Sequence, residues 1–236
     1  MSTRSRPTMT SFRWEEELRQ SFLKRACPTL WSRAGATVPQ RTFIESTCSD
    51  GRADWVWAGI RCDWPEGVSP EIGSLLRQPA CSRILATLKP KSPRREEYFQ
   101  WRSGVAPSTF RRHLSDLVEH ELVSDLGGNR YILGPAFAEP QIEICSFEFK
   151  LDNWKRAFHQ AKRYRTFSHR VFVVMPSQVI ARLRDHLDAF RRFNIGLISH
   201  DSDGSSERIV ASRKREPISR NGFIQALGSL LAQEDV

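Results

Sequence analysis

The chain has 236 residues and carries 36 lysines and arginines against 27 aspartates and glutamates, which leaves a formal net charge of +9 at pH 7. Hydrophobic residues make up 39% of it, which is typical of a folded protein that buries a core without disulfide bonds. The sequence has no run of the ~18 apolar residues that a membrane span needs and no apolar signal core at its N-terminus. We therefore expect a cytoplasmic protein, and the excess positive charge favours a polyanionic partner.

The cysteine and histidine spacing excludes several kinds of site. The five cysteines, at positions 27, 48, 62, 81 and 145, form no CxxC pair, so neither a disulfide framework nor a structural zinc site is predicted. The six histidines have no zinc-ligand spacing, and no phosphate-binding loop motif occurs. Residues His200 to Gly204 look metal-like, but the sequence Asp-Ser-Asp-Gly is more typical of a hairpin turn.

The N-terminal part of the chain predicts a helix followed by a β-hairpin. Residues 12–23 carry apolar side chains at helical spacing and predict a short amphipathic helix. Residues 41–47 and 53–58 are β-like runs, and the turn residues Ser49-Asp-Gly between them predict a hairpin. The prolines and glycine between residues 65 and 70 then mark a domain boundary.

The middle of the chain predicts three helices and a second hairpin. Residues 71–89 keep a helical period until Lys89-Pro90, residues 95–101 predict a short helix, and residues 107–122 predict a third with Pro107 in its first turn. Residues 123–133 predict strand, turn and strand around Gly127-Gly128.

The third of these helices carries a motif. Residues 104–123, GVAPSTFRRHLSDLVEHELV, resemble the recognition helix of bacterial winged helix-turn-helix domains, which has the pattern G-V-S-x-x-T-V-x-R-x-L-x-x-L-x-x-x-G-L-V. The match includes Thr109, Arg112, Leu114, Leu117, Leu122 and Val123, and the glycine pair follows where the wing is expected. Glu121 departs from the pattern, because the family usually has glycine there.

The winged-helix resemblance implies a DNA-binding surface. Base edges and phosphates would be contacted from the N-terminal end of the helix, and the stretch from Lys89 to Arg112 has seven Lys and Arg against two Glu. DNA contacts are expected from Ser108, Thr109, Arg111, Arg112, Arg94, Arg95 and Arg130. A winged helix used only for protein contacts is the alternative.

The C-terminal part alternates strands and helices. Strands are predicted at 141–150, 170–175, 195–199 and 205–211, and helices at 153–164, 179–190 and 220–232. This alternation predicts a mixed sheet covered by helices.

A set of polar residues is spread over the two outer parts. Glu148 and Lys150 are two residues apart on one strand, so their side chains share a face. Asp54 lies in the earlier hairpin, and Gln160 and Tyr164 share one face of a helix at i, i+4. The alternative is that Asp54 ends a hairpin, Glu148 and Lys150 form a solvated ion pair, and the helix pair is incidental.

The ordered set Asp54, Glu148-x-Lys150 and Gln160-x-x-x-Tyr164 resembles the PD-(D/E)xK nuclease superfamily. The last element is similar to that of its RecB-like branch and of the related CRISPR-associated exonucleases. Alanine precedes Asp54 where the motif has proline.

The nuclease resemblance implies a role for each residue. Asp54 and Glu148 would hold Mg²⁺, or Mn²⁺ in its place, with the carbonyl of Phe149. Lys150 would orient or deprotonate the attacking water, and Gln160 and Tyr164 would steady the lysine or the DNA backbone. The family also uses a glutamate of the first helix, for which Glu17 is preferred to Glu16. Phosphodiester hydrolysis needs a hard cation, and Mg²⁺ prefers carboxylate ligands.

Together the two resemblances imply a restriction-endonuclease-like α/β fold, a mixed sheet flanked by helices and interrupted by a winged helix-turn-helix domain. The expected ranges are 11–68 and 139–236 for the nuclease-like domain and 69–138 for the insertion. The implied function is a Mg²⁺-dependent DNA endonuclease of a restriction, defence or mobile-element system. The alternatives are a catalytically inactive nuclease-fold regulator that binds DNA, and a protein-interaction module. A homodimer or a partner protein is left open.

Overall fold

The computed structural model describes residues 12–25, 41–48, 51–60, 70–137 and 142–232. Their elements in chain order are α1 (Glu15–Arg25), β1 (Arg41–Cys48), β2 (Gly51–Ile60), α2 (Pro70–Arg77), α3 (Pro79–Thr87), β3 (Arg94–Arg95), α4 (Glu96–Ser103), α5 (Pro107–Glu119), β4 (Val123–Asp125), β5 (Arg130–Leu133), β6 (Ile142–Phe149), α6 (Trp154–Tyr164), β7 (Arg170–Met175), α7 (Ser177–Ile180), a 3₁₀ helix (Ala181–His186), α8 (Leu187–Arg192), β8 (Ile195–His200), β9 (Ser206–Val210) and α9 (Arg220–Ala232). None of these described helices is long and apolar enough to cross a membrane.

The larger sheet has six strands in the order β1-β2-β6-β7-β8-β9. The first three strands are antiparallel neighbours, β6, β7 and β8 run parallel, and β9 returns antiparallel to β8. Parallel neighbours need a crossover connection, which α6 supplies between β6 and β7 and the helical segment 177–192 supplies between β7 and β8. The prediction of an α/β protein with a mixed sheet covered by helices is confirmed.

The large sheet is buried on both faces at its central strands. Strand β6 is buried along its whole length, and its side chains alternate between two apolar layers. Cys145, Phe147 and Phe149 pack with Leu18 and Phe22 of α1 on one face. Ile142 and Ile144 belong to the layer on the opposite face, which is covered by α6 and α9. The even-numbered side chains of β6, which include Glu148, therefore point towards the α6 side.

Residues 79–133 form a smaller unit around their own core. Its three-stranded sheet has the order β3-β5-β4, and α3, α4 and α5 pack on it through Ile84, Phe99, Phe110 and Leu117. The predicted hairpin around Gly127-Gly128 is present, and positive φ angles at Gly127, Gly128 and Asn129 form its turn. The two-residue strand β3 was not predicted from the sequence.

One helix prediction is wrong in its extent. Residues 71–89 form two helices, because Pro79 lacks the N–H that a continuous helix needs and holds Gln78 in an extended conformation with ψ 128°. The predicted helix 179–190 is likewise divided, with a 3₁₀ segment over Ala181–His186. The turn 201–204 between β8 and β9 is the hairpin that its composition predicts, closed by a bond from Gly204 N–H to Asp201 O.

Helix α9 joins the two cores. Its residues Ala226, Leu227 and Leu230 pack in the large-sheet core, whereas Ile224 packs in the core of the smaller unit. It crosses α2 at very close range: a Cβ atom on Gly228 would lie 2.4 Å from Arg77 N and 2.7 Å from Gly73 O. Only glycine allows this approach of two backbones.

The close crossing predicts a large effect of a single methyl group. Gly228→Ala should lower the free energy of unfolding by about 1–3 kcal/mol, because α2 and α9 must separate to admit it. Ser74→Ala, on the exposed side of α2, is the control and should stay within about 0.5 kcal/mol of wild type. Urea denaturation measures both, and equal stability of the two variants would contradict the packing described here.

Candidate functional site

The register of β2 and β6 brings the first two candidate residues together. Trp55 pairs with Phe147, so the next position places Asp54 across from Glu148. Asp54 Oδ2 also accepts a hydrogen bond from the backbone N–H of Phe149 at 2.9 Å. Two carboxylates that are 94 positions apart in the sequence therefore meet where β6 ends.

Glu148 is fully buried with an exposed fraction of 0%, and two other predicted residues hold it. Tyr164 of α6 donates its hydroxyl to Glu148 Oε2 at 2.5 Å. The ammonium of Lys150 lies 3.1 Å from Glu148 Oε1. The alternative of a solvated ion pair at this strand end is wrong, because Lys150 is only 8% exposed.

The glutamate of the first helix that reaches the cluster is Glu15. Its Oε2 atom accepts a hydrogen bond from Lys150 Nζ at 2.7 Å, and the same ammonium donates to the carbonyl of Phe149 at 3.1 Å. Glu17, which the sequence favoured, instead accepts the N–H of Arg13 at the start of α1. Glu16 pairs with Arg19.

Burial and mutual repulsion set the protonation of the carboxylates. Burial raises the pKa of Glu148 to about 7, and the nearby charge of Asp54 adds to this rise. Burial also raises the pKa of Asp54, against the opposing hydrogen bond from Phe149. Burial lowers the pKa of Lys150, but its bond to Glu15 and the charges of Glu148 and Asp54 outweigh this and raise it. The cluster therefore contains more carboxylates than the single ammonium of Lys150 can neutralise.

A small pocket of about 120 Å³ opens beside this cluster, lined by Glu15, Glu16, Arg19, Asp54 and Phe149. Arg19 donates a hydrogen bond to the backbone carbonyl of Asp54 at 3.1 Å, which fixes its guanidinium at the pocket. Sequence reasoning missed both Glu15 and Arg19. Their spacing of four residues, which puts them on one face of α1, is the pattern that could have identified them.

The oxygen donors at the cluster suit a hard cation. Asp54 and Glu148 supply carboxylates and Phe149 a carbonyl, a set that fits Mg²⁺, which binds few protein ligands and keeps waters. Among the described residues no group of three His, Cys, Asp or Glu side chains converges on one point. The Oε1 atom of Gln160 is buried and accepts no hydrogen bond from Lys150 or from any other described residue.

A second set of predicted residues lies on the smaller unit. Ser108, Arg111 and Arg112 are exposed at the start of α5, while Phe110 and Leu114 bury the opposite side of the helix. Thr109 is half-buried. After α5 the chain turns at Glu121, whose φ of 57° is a left-handed conformation that favours glycine.

The remaining predicted arginines divide between two faces of the small sheet. Arg95 pairs with Arg130, and both are exposed. Arg94 pairs with Tyr131, whose ring contacts Phe99 in the core, so Arg94 lies on the helix-covered face. Arg95 and Arg130 therefore share a surface, and Arg94 does not belong to it.

In comparisons with known proteins, no protein-family model, curated protein or solved structure matches the chain. The candidate site therefore depends on the geometry of its own residues.

The bond between Tyr164 and Glu148 predicts a stability effect. Tyr164→Phe keeps the buried ring but removes the donor to Glu148 Oε2, so the free energy of unfolding should fall by about 1–3 kcal/mol. Tyr98→Phe is a matched control, since Tyr98 is 45% exposed and should change stability by less than about 0.5 kcal/mol. Chemical denaturation at pH 8 compares them, and an unchanged Tyr164→Phe variant would contradict a buried hydrogen bond at this position.

Proposed function

We propose that the chain is a metal-dependent nuclease that hydrolyses phosphodiester bonds of DNA and engages DNA through residues 79–133. The observation that carries the proposal is the convergence of Asp54, Glu148, Lys150 and Tyr164, from three separate elements, on one partly enclosed cluster. A buried carboxylate pair beside a lysine is costly for folding alone, which favours a functional reason for it.

The chemistry follows from what these side chains can hold. Asp54, Glu148 and the carbonyl of Phe149 would bind Mg²⁺ or Mn²⁺. When bound, the metal supplies positive charge against the phosphate and lowers the pKa of a coordinated water. Lys150 donates hydrogen bonds from a fixed position and would orient the attacking water. Arg19, at the mouth of the small pocket, is placed to contact a phosphate oxygen.

Supporting side chains keep this arrangement in place. Tyr164 holds Glu148 by its hydroxyl, and Glu15 holds Lys150 from the opposite side. Gln160 lies one helical turn before Tyr164 and offers a buried acceptor that a rotated Lys150 ammonium or a DNA-bound water could use. These contacts support the resemblance to the PD-(D/E)xK nucleases with the Q-x-x-x-Y element.

The small unit supports a DNA-binding role of winged-helix type. Its elements follow the order helix, strand, helix, helix, strand, strand, and the start of the third helix exposes Ser108, Arg111 and Arg112. Arg95 and Arg130 add positive charge beside the wing. The left-handed conformation at Glu121 also supports the resemblance, because the family's usual glycine adopts it without strain.

Chemistry and binding should separate in variants of the cluster. Asp54→Asn, Glu148→Gln and Lys150→Met should each reduce Mg²⁺- or Mn²⁺-dependent plasmid cleavage by about two orders of magnitude or more, because each removes a metal ligand or the charge that orients water. Glu143→Gln is the matched control: Glu143 is a buried carboxylate on the same strand, but its partners are Arg170 and Lys214. It should cleave like wild type at a temperature where both are folded.

DNA affinity in EDTA, measured on the same preparations by anisotropy, should stay near the wild-type value for all four variants. Cleavage by the triple variant Asp54→Asn/Glu148→Gln/Lys150→Met at the wild-type rate would contradict the nuclease proposal. Wild-type protein that binds DNA but never cuts with any divalent ion would instead favour the catalytically inactive regulator.

Variants at the start of α5 test the proposed DNA contacts. Arg111→Ala/Arg112→Ala should weaken DNA binding; an arginine that contacts a guanine should cost about 1–3 kcal/mol and relax the preference at one position. If both arginines contact phosphates, the slope of log affinity against log salt should become shallower by about 0.9 per lost contact. Arg192→Ala/Arg208→Ala, two exposed arginines outside the small unit, is the charge-matched control.

A salt titration of duplex binding distinguishes these cases. If both double variants bind like wild type, α5 does not contact DNA. If wild-type binding has no salt dependence, the protein does not use its charge to bind nucleic acid, and the protein-interaction alternative is favoured.

A further inference from the structure

A second, larger pocket lies away from the carboxylate cluster. It has a volume of about 490 Å³ and opens where α3, α4 and the start of α9 meet. Its walls include Arg83, Lys89, Arg94, Tyr98, Arg102 and Asn221. The volume is in the range of pockets that bind small molecules.

The charge of this pocket has one sign. Arg83, Lys89, Arg94 and Arg102 contribute four cations, and no aspartate or glutamate of the described part of the chain lines the pocket. Within residues 12–25, 41–48, 51–60, 70–137 and 142–232, none of the four cations forms an ion pair. Four cations around one concave space repel one another, and a bound anion would relieve this repulsion.

Arg94 is the most enclosed of the four. Its Nε–H is buried and donates to no described residue, although a buried guanidinium N–H ordinarily has a partner. The guanidinium carbon lies 5.3 Å from the centre of the Tyr98 ring, which fixes its position at the pocket wall. Arg94 therefore lines the pocket with a guanidinium whose hydrogen-bonding capacity the described residues do not fully use.

Tyr98 gives the pocket an aromatic surface. The residue is 45% exposed, so part of its ring is available to a planar ligand. Stacking of a nucleic-acid base on such a ring tolerates any base, because every base has a π face. A nucleotide has a phosphate part that cations can bind and a base that an aromatic ring can stack on, and this pocket offers both kinds of group.

The start of α9 completes the pocket. Asn221 is the second residue of this 13-residue helix and lines the pocket, and the partial positive charge at the start of a helix favours a nearby anion. Arg220 fixes this end by donating to the carbonyl of Leu88 at 2.5 Å.

We propose that this pocket binds a nucleoside phosphate, with its phosphate groups among Arg83, Lys89, Arg94 and Arg102 and its base against Tyr98. The ligand is a free nucleotide or the 5′-phosphorylated end of a DNA strand, which present the same chemistry. This site lies on the same small unit but is additional to the proposed function, since its lining includes neither the carboxylate cluster nor the proposed DNA contacts Ser108, Arg111, Arg112, Arg95 and Arg130.

The test is a titration of the full chain in EDTA by isothermal calorimetry, with ATP as the first probe. Arg83→Gln/Arg102→Gln should weaken ATP binding by about tenfold or more, because charge-assisted bonds to phosphate are lost. Arg182→Gln/Arg184→Gln removes the same charge from the exposed 3₁₀ helix and should change affinity by less than about threefold. Failure of ATP to bind, or equal weakening by both double variants, would overturn the proposal.

Two further comparisons test the nucleoside part. Tyr98→Ala should weaken ATP by about tenfold while Tyr98→Phe, which keeps the ring, should not. ATP should also bind more tightly than inorganic triphosphate. Equal affinity for the two compounds, or no loss in Tyr98→Ala, would overturn the assignment to a nucleotide.

Oligothymidylate with and without a 5′-phosphate distinguishes a strand end from a free nucleotide as the ligand. A 5′-phosphorylated strand that binds more tightly than the unphosphorylated strand, with the difference lost in Arg83→Gln/Arg102→Gln, assigns the pocket to strand ends. Strands that bind alike, together with tight binding of ATP, assign it to a free nucleotide. Because no cleavage is measured and no metal is present, these results are independent of whether the protein is a nuclease.

Discussion

A carboxylate with no access to solvent is the constraint on which the site depends. Glu148 lies at the end of a strand that is buried on both faces, and an ionised carboxylate there must be compensated by fixed partners. Lys150 and Tyr164 provide that compensation, and they come from the strand end and from α6. Their geometry is therefore tied to the packing of the whole sheet, and so the site is held by the fold rather than by local loops.

The same constraint explains the position of α1. Lys150 needs acceptors on more than one side, and Glu15 reaches it from the first turn of α1 while Leu18 and Phe22 pack that helix against the sheet. Apolar burial sets where the helix lies, and the ion pair sets which residue faces the cluster. Side chains held in this way already have their partners before a ligand binds, which lowers the cost of ordering them during binding.

Much of the fold follows from local sequence patterns. Alternation in β6, turn chemistry at Gly127-Gly128 and the helical period of α6 predict those elements, and the two-residue spacing of Glu148 and Lys150 predicts their shared face. The predictions that fail concern features that depend on long-range geometry. Glu15, Glu16 and Glu17 are consecutive, so only the rotation of α1 on the sheet selects among them. The basic pocket combines α3, α4 and α9, and no local pattern indicates that these three helices meet.

Helix α9 contributes side chains to both cores, and this affects the order in which the parts of the chain can fold. Ile224 completes one core and Leu227 the other, so neither unit has its full set of apolar contacts until residues 220–232 have been synthesised. The strands β2 and β6 are separated by the whole smaller unit, which adds a loop-closure cost to the large sheet. While the ribosome is still translating the C-terminal region, the side of α2 that packs on α9 stays uncovered. Apolar surface that is exposed during synthesis favours aggregation and is the kind of surface that chaperones bind.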